Sequence, residues 1–367
     1  MQSYQEALSR ERMKKCRELL GELPIACSDF INSIVMTTSD LTRLAYVLDM
    51  QTFCTYAYNE IPHFSERLPK YWNDSDFALF TSRDLQRFSE YLTLYYKSSD
   101  SESDEIDEKR QKVLINHEYG VMRKLSSLRS FFEYLFKNER IPGNIATLVS
   151  LPKLHEKPIL YLIGSEIERL LNTASTGEGL TEHQKSVQKN TRKRDLALLM
   201  LFLGTGMRVS ECVGIDIGDF DFASNGVLVT RKGGNQVILY YPDDVREALL
   251  DYWEERKHIQ VANEDSHAFF LSLQRKRISQ RAVQIMVKKY SSIAVPLKKR
   301  MSPHKLRSTY ATRLYDETQD IYLVAESLGH ADVNTTRRHY AAMSEERRKE
   351  AAKNVHLPKL EKPKEES

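Results

Sequence analysis

Apolar residues recur at helical spacing through three segments of the first 150 residues: 39–60 (SDLTRLAYVLDMQTFCTYAYNE), 82–97 (SRDLQRFSEYLTLYYK) and 117–138 (HEYGVMRKLSSLRSFFEYLFKN). A stripe with that period buries one face of a helix, so the spacing predicts three helices. Ser39 and Ser82 stand where an N-cap hydroxyl would accept a first-turn N–H. Between the last two segments, 98–110 (SSDSESDEIDEKR) is acidic and serine-rich. It lacks apolar anchors to offset the entropy of ordering, so a mobile loop is expected there. Its charge should keep it away from any phosphate.

Two prolines without apolar periodicity mark 151–160 as a linker. Beyond it the pattern predicts a helix near Gly164–Thr173, a polar stretch at 174–191, and a strongly apolar helix near Arg194–Gly204. Three strand-like runs follow (DFDF, NGVLVT, NQVILYYP), punctuated by Asn225-Gly226 and Gly233-Gly234. From Asp243 onward helical spacing returns. The expectation is a mainly α protein with a small antiparallel β-sheet. It comprises a helical domain over 1–150, a mixed α/β domain over 161–345 and a polar tail over 346–367, with the charged end beyond Leu357 disordered.

The whole chain is 367 residues, too long for one ordinary core, with 41% hydrophobic and 29% charged residues, as in soluble proteins. The longest apolar run, Leu196–Leu203, is far short of a bilayer span, and no apolar stretch follows the charges of the N-terminus. Cys16, Cys27, Cys54 and Cys212 are scattered without a C-x-x-C pair, which favours reduced thiols in a cytoplasmic protein over a zinc site or a disulfide frame. A net charge of +3 says little, but Leu271–Tyr310 holds eleven Lys or Arg and no Asp or Glu. A one-signed stretch repels itself and is relieved by a polyanion, although a solvated basic face would look the same. Lys276, Arg277, Arg281, Lys288 and Lys289 are the candidate phosphate contacts in it; such contacts position a protein and carry no base information.

Four short stretches of the second domain carry candidate chemistry. GTGMRVSE sets Arg208 three residues before Glu211, on one face of a helix, and TRKGGNQ puts Lys232 in a turn between strands. SPHKLRSTYATRLY begins with a sound helix start at Ser302-Pro303 and holds His304 and Arg307 in one turn. ESLGHADVNTTRRHY places His330 after Gly329, a residue suited to ending a helix, and closes on Tyr340. Each alone has an ordinary structural reading: a surface ion pair, a solvated turn, a cap, a packing tyrosine.

Their order and spacing resemble the tyrosine recombinases, the phage-integrase family. Its pattern runs Arg, a hairpin Lys, H-x-x-R, a His or Trp after L-G, then Tyr; here these are Arg208, Lys232, His304, Arg307, His330 and Tyr340. The resemblance covers about 160–345 well and the N-terminal half loosely, chiefly in RKLSSLRSFFEYL. The His-to-Tyr spacing is ten, where many members have nine; His339 holds that commoner place, so Tyr340 is chosen by residue type.

What the resemblance implies is a site-specific DNA recombinase that needs neither metal nor cofactor. Tyr340 would attack phosphorus and expel the 5′-hydroxyl, leaving a 3′-phosphotyrosine. Arg208 and Arg307 would clamp the non-bridging oxygens, and His304 would take the phenol proton. Lys232 would protonate the departing oxygen, and His330 would hydrogen-bond the phosphate. Glu211, too acidic to face phosphate, is assigned to buttressing Arg208 or the helix. The implied partners are double-stranded DNA with a specific target site and further copies of the chain, in a tetramer coupled through the tail. Integration or excision, dimer resolution and inversion all fit one such site. A type IB topoisomerase or a non-catalytic DNA-binding protein stays open as the alternative.

Overall fold

The computed structural model describes residues 4–97, 112–153, 155, 159–231, 234–261, 265–298, 301–329 and 333. The acidic stretch 98–110 and the tail 346–367 lie outside them. The chain divides into two units, Met1–Lys157 and Pro158–Ser367.

The first unit contains α1 (Tyr4–Leu20), α2 (Ile25–Ser33), α3 (Asp40–Glu60), α4 (Asp74–Leu79), α5 (Ser82–Tyr91) and α6 (Glu118–Lys137). Ser39 caps α3 as its position suggests, with its Oγ accepting the Thr42 N–H at 3.2 Å. The cap of α5 is Thr81, not Ser82. Thr81 Oγ1 accepts the Asp84 N–H at 3.3 Å, and Asp84 accepts the Thr81 N–H at 2.9 Å. The reciprocal box needs an acid three residues on, and Ser82 has Leu85 there.

The helix predicted over 82–97 ends early. Tyr95–Lys97 (β1) pairs antiparallel with Lys112–Leu114 (β2), and Asn116 Nδ2 donates to the Leu92 carbonyl at 2.8 Å near the end of α5. Pairing with a distant strand overrides the local helical period for an aromatic run with strand propensity. The core is aromatic: Phe53, Phe77, Phe80, Phe88, Phe131 and Phe132 are buried and meet largely edge-on. Asp49, 1% exposed, accepts from Arg123 at 2.6 Å and Lys124 at 3.1 Å, which ties α3 to α6 through a paired charge.

The second unit is built around α9 (Arg192–Thr205), packed by α7 (Gly164–Thr176), α11 (Asp243–Arg256) and α13 (Pro303–Thr318). Helix α9 buries Ala197, Leu198, Leu199, Leu201 and Phe202, which accounts for its nearly unbroken apolar run. Asp195 near its start accepts from Thr191 at 3.0 Å, Arg194 at 2.6 Å and Tyr290 at 2.8 Å, joining it to α12 (Gln280–Ala294). The polar stretch 174–191 hides a short helix, α8 (Glu182–Gln188), held by a Thr181–Gln184 capping box in place of an apolar stripe.

The strand section forms one antiparallel sheet in the order β3 (Phe220–Asp221), β4 (Gly226–Thr230), β5 (Gln236–Tyr240). Helices α10 (Val209–Val213) and α14 (Ile321–Leu328) complete the unit. Among the described residues no helix is long and apolar enough to cross a membrane. All four cysteines are buried and free.

Candidate active site

Of the helices that end at a left-handed glycine, α9 and α14 organise the site with their end carbonyls. Gly206 closes α9 at φ 62°, and Gly329 closes α14 at φ 60°. A Cβ at Gly206 would lie 2.3 Å from the Tyr310 ring, so only glycine fits both the backbone and the space. The last carbonyls of a helix have no partner inside it and sit at the negative end of its dipole, so cationic donors gather there.

Three guanidinium groups use those carbonyls. Arg307, 5% exposed in the first turns of α13, donates to Gly206 O at 2.8 Å and to Leu328 O. Arg208 donates to Gly329 O at 3.4 Å. Arg231, at the end of β4, donates to Ser327 O at 3.0 Å. Three consecutive carbonyls, 327 to 329, thus each meet an arginine from a different part of the sequence. Tyr310 lies beneath this cluster. Burial pushes its phenol pKa up, while a hydrogen bond with Ser327 and the charge of Arg307 pull the other way.

Arg208 is the residue just before α10 and not a member of it, so it and Glu211 are related as N-cap and third helical residue. The Glu211 carboxylate accepts the Arg208 backbone N–H at 2.7 Å and its guanidinium at 2.8 Å. The Glu211 side chain is 3% exposed and that of Arg208 35%. The acid is therefore shielded while the guanidinium reaches solvent. His304 and Arg307 share the start of α13 but differ in setting: His304 is exposed and Arg307 buried. Ser302 stands at the cap position of α13 without a capping hydrogen bond from its side chain, and Pro303 fills the first helical place. Lys232, His330 and Tyr340 lie outside the described residues. The strands on either side of Lys232 are described, and Gly329 immediately precedes His330.

The basic stretch divides. Lys276, Arg281 and Lys288 are exposed. Arg277 and Lys289, expected to reach phosphate, have their charges turned inward. Arg277 donates to the carbonyls of Val213 and Ile215 at 3.1 Å and pairs with Asp216. Lys289 lies 3.4 Å from Asp195 and 3.9 Å from the centre of the Tyr290 ring, and burial lowers its pKa despite that carboxylate. The reason is composition: the stretch carries no acid of its own, so carboxylates from other elements fold onto it. Lys298 follows the same rule, donating to Glu166 at 2.6 Å. Arg231 was not singled out by the sequence, where its one signal was adjacency to Lys232.

Residues 161–347 match the phage integrase family. The tyrosine recombinase XerC of Caldanaerobacter subterraneus subsp. tengcongensis is 32% identical over 320 residues, which cover 85% of this chain and 82% of that protein. The tyrosine recombinase XerD of Staphylococcus epidermidis is 28% identical, covering 69% and 83%. In fold the chain resembles the XerH site-specific recombinase bound to palindromic difH substrate (TM-score 0.62, 21% identity, 86% of this chain and 80% of that one). It likewise resembles the Tn1549 transposon integrase in complex with circular intermediate DNA (TM-score 0.60, 18% identity, 89% and 98%). The chain belongs to the phage integrase family of tyrosine recombinases, enzymes of site-specific DNA cleavage and rejoining.

Proposed function

We propose that the chain recombines duplex DNA at a specific site, with Tyr340 as nucleophile and Arg208 and Arg307 as the phosphate clamp. The observation that supports this best is the convergence of those two guanidiniums, far apart in sequence, on the adjacent carbonyls of Leu328 and Gly329. A pair of forks held side by side suits the two non-bridging oxygens of one phosphodiester.

In this reading the Tyr340 oxygen forms a bond to phosphorus as the bond to the 5′-oxygen breaks. His304, exposed at the start of α13, accepts the phenol proton. Lys232 delivers a proton to the departing oxygen, and His330 hydrogen-bonds the phosphate. The phosphodiester becomes a phosphotyrosine ester, and attack by a 5′-hydroxyl of another strand reverses the step, so no energy source is consumed. Losing one arginine of the clamp would cost on the order of 10²–10³ in rate, as for other preorganised donors to a developing oxyanion.

Exchange of two duplexes requires four strand cleavages, hence a tetramer of the chain on DNA. Exposed Lys276, Arg281 and Lys288 hold the backbone, the tail 346–367 couples subunits, and the domain over 1–150 also binds the duplex. The place of work is the cytoplasm, in keeping with four reduced, buried thiols.

The test is a nicked suicide substrate carrying the target site, sought in DNA flanking the gene, with wild type and Tyr340→Phe compared for covalent adduct on a denaturing gel. An adduct lost in Tyr340→Phe supports the reading. An adduct that survives moves the nucleophile elsewhere. Tight site-specific binding without adduct from either protein overturns catalysis.

A further inference from the structure

Arg231 is not part of the catalytic pattern, yet it is locked to the site from two directions. Its backbone closes the β4–β5 turn: its N–H donates to Asn235 O at 2.8 Å, and its carbonyl accepts from Gly234 at 3.1 Å. Its side chain leaves the hairpin and donates to Ser327 O at 3.0 Å, on the last turn of α14. A Cβ at Gly329 would fall 2.0 Å from Arg231 Nη1, so the guanidinium lies directly on the helix-ending glycine. Among the described residues its Nε is buried without a hydrogen-bond partner. A buried donor left unpaired is costly, so the contact is retained against a penalty. One residue thus fixes the turn bearing Lys232 to the helix end that carries the carbonyls of Arg208 and Arg307.

We infer that Arg231 is the positioning residue for the general acid: it pins the β4–β5 turn to the end of α14 and so holds Lys232 at the leaving 5′-oxygen. A hairpin tip joined to its protein only through its two strands would swing, and a displacement of about 1 Å at a reacting group costs on the order of 10²-fold. The Arg231 guanidinium is bonded to the Ser327 carbonyl, so on this inference its effect passes through Lys232. This inference rests on the assignment of Lys232 as the acid.

The test separates the two claims by changing the leaving group. In a substrate whose scissile 5′-bridging oxygen is replaced by sulfur, the departing thiolate needs no proton. Single-turnover adduct formation is measured on oxygen and sulfur substrates for wild type, Lys232→Ala, Arg231→Met and Arg231→Gln. The glutamine variant keeps an amide donor for Ser327 should the methionine variant fold poorly. A loss of about 10²-fold on oxygen, restored on sulfur for both Lys232→Ala and the Arg231 variants, is the expected result. Arg231 variants that stay slow on sulfur while Lys232→Ala is restored would overturn the inference and leave the acid in place. Arg231 variants as fast as wild type on oxygen would overturn it as well. Failure of sulfur to restore Lys232→Ala would remove the assignment of the acid, and the inference with it.

Discussion

Replacing Glu211 with glutamine separates two jobs done by one carboxylate. One oxygen accepts the Arg208 backbone N–H at 2.7 Å and the other its guanidinium at 2.8 Å. Glutamine has the same shape but a single acceptor oxygen. Kept on the backbone N–H, it preserves the start of α10 and turns an NH2 group toward the guanidinium. Arg208 then retains the long 3.4 Å bond to Gly329 O. A hydrogen bond between charged groups contributes about 1.5–3 kcal/mol. With Glu211 shielded but Arg208 about a third exposed, solvent screening favours the lower end. About 1.5–2 kcal/mol corresponds to a loss of roughly 10- to 30-fold in rate. The assay is single-turnover adduct formation at saturating protein, with site affinity measured separately. Affinity should hold or tighten, because a negative charge near phosphate has been removed. A folded Glu211→Gln protein within twofold of the wild-type rate would refute the buttress. So would a loss confined to affinity, since the clamp is argued to act in the transition state.

Gly206→Ala forces a side chain into the left-handed region and against the Tyr310 ring; about 2–3 kcal/mol of stability should be lost, read as a lower denaturant midpoint, and an unchanged midpoint would contradict the packing described. Lys288→Ala should reduce the salt slope of DNA binding by about 1 with stability unchanged, while Lys289→Ala should lower the melting temperature and leave the slope alone. Equal salt slopes for the two variants would count against that division. Glu166 supplies a pH dependence. Burial pushes its carboxyl up, but hydrogen bonds from Lys298 and the Ile163 N–H outweigh it and hold the pKa below the usual range. A depressed folded value means stability present above the unfolded pKa and lost as pH falls through the folded one. Glu166→Gln should therefore flatten the acid limb of the stability curve, and an unaltered limb would refute the contribution.

The sequence was most legible where one residue type does one job. The apolar run of α9, the Ser39 cap and the Asn-Gly turn before β4 follow from side-chain size, hydroxyl geometry and backbone freedom, all local properties. Gly329 was readable as a helix end for the same reason. What could not be read depends on partners distant in sequence. Residues 95–97 have helical spacing but form a strand because 112–114 lies alongside. Arg277 and Lys289 belong to a uniformly basic stretch, and nothing in that stretch says that Asp216 and Asp195 will reach them. Helix α8 was hidden by the opposite problem, being held by caps with no apolar stripe to announce it. Arg231 was invisible because its partner is a backbone carbonyl, and carbonyls are the same in every residue.

That last point bears on how the arginines are stored. Cations destined for phosphate must be held in place before DNA arrives without being neutralised. A carboxylate facing the same side would hold them but would also repel the incoming phosphate and remain as an uncompensated charge once they moved. Backbone carbonyls at a helix end hold guanidiniums as neutral acceptors with a partial negative field, weak enough for a phosphate to share or displace. The acid bonded to this cluster among the described residues, Glu211, is 3% exposed and bonded on its other oxygen to the Arg208 backbone, so its charge is shielded from solvent while its grip is kept. Placing the ends of α9 and α14 against Arg208 and Arg307, with Arg231 bracing the last turn of α14, therefore gives a site that is preorganised and still positive, which is the combination that phosphoryl transfer requires.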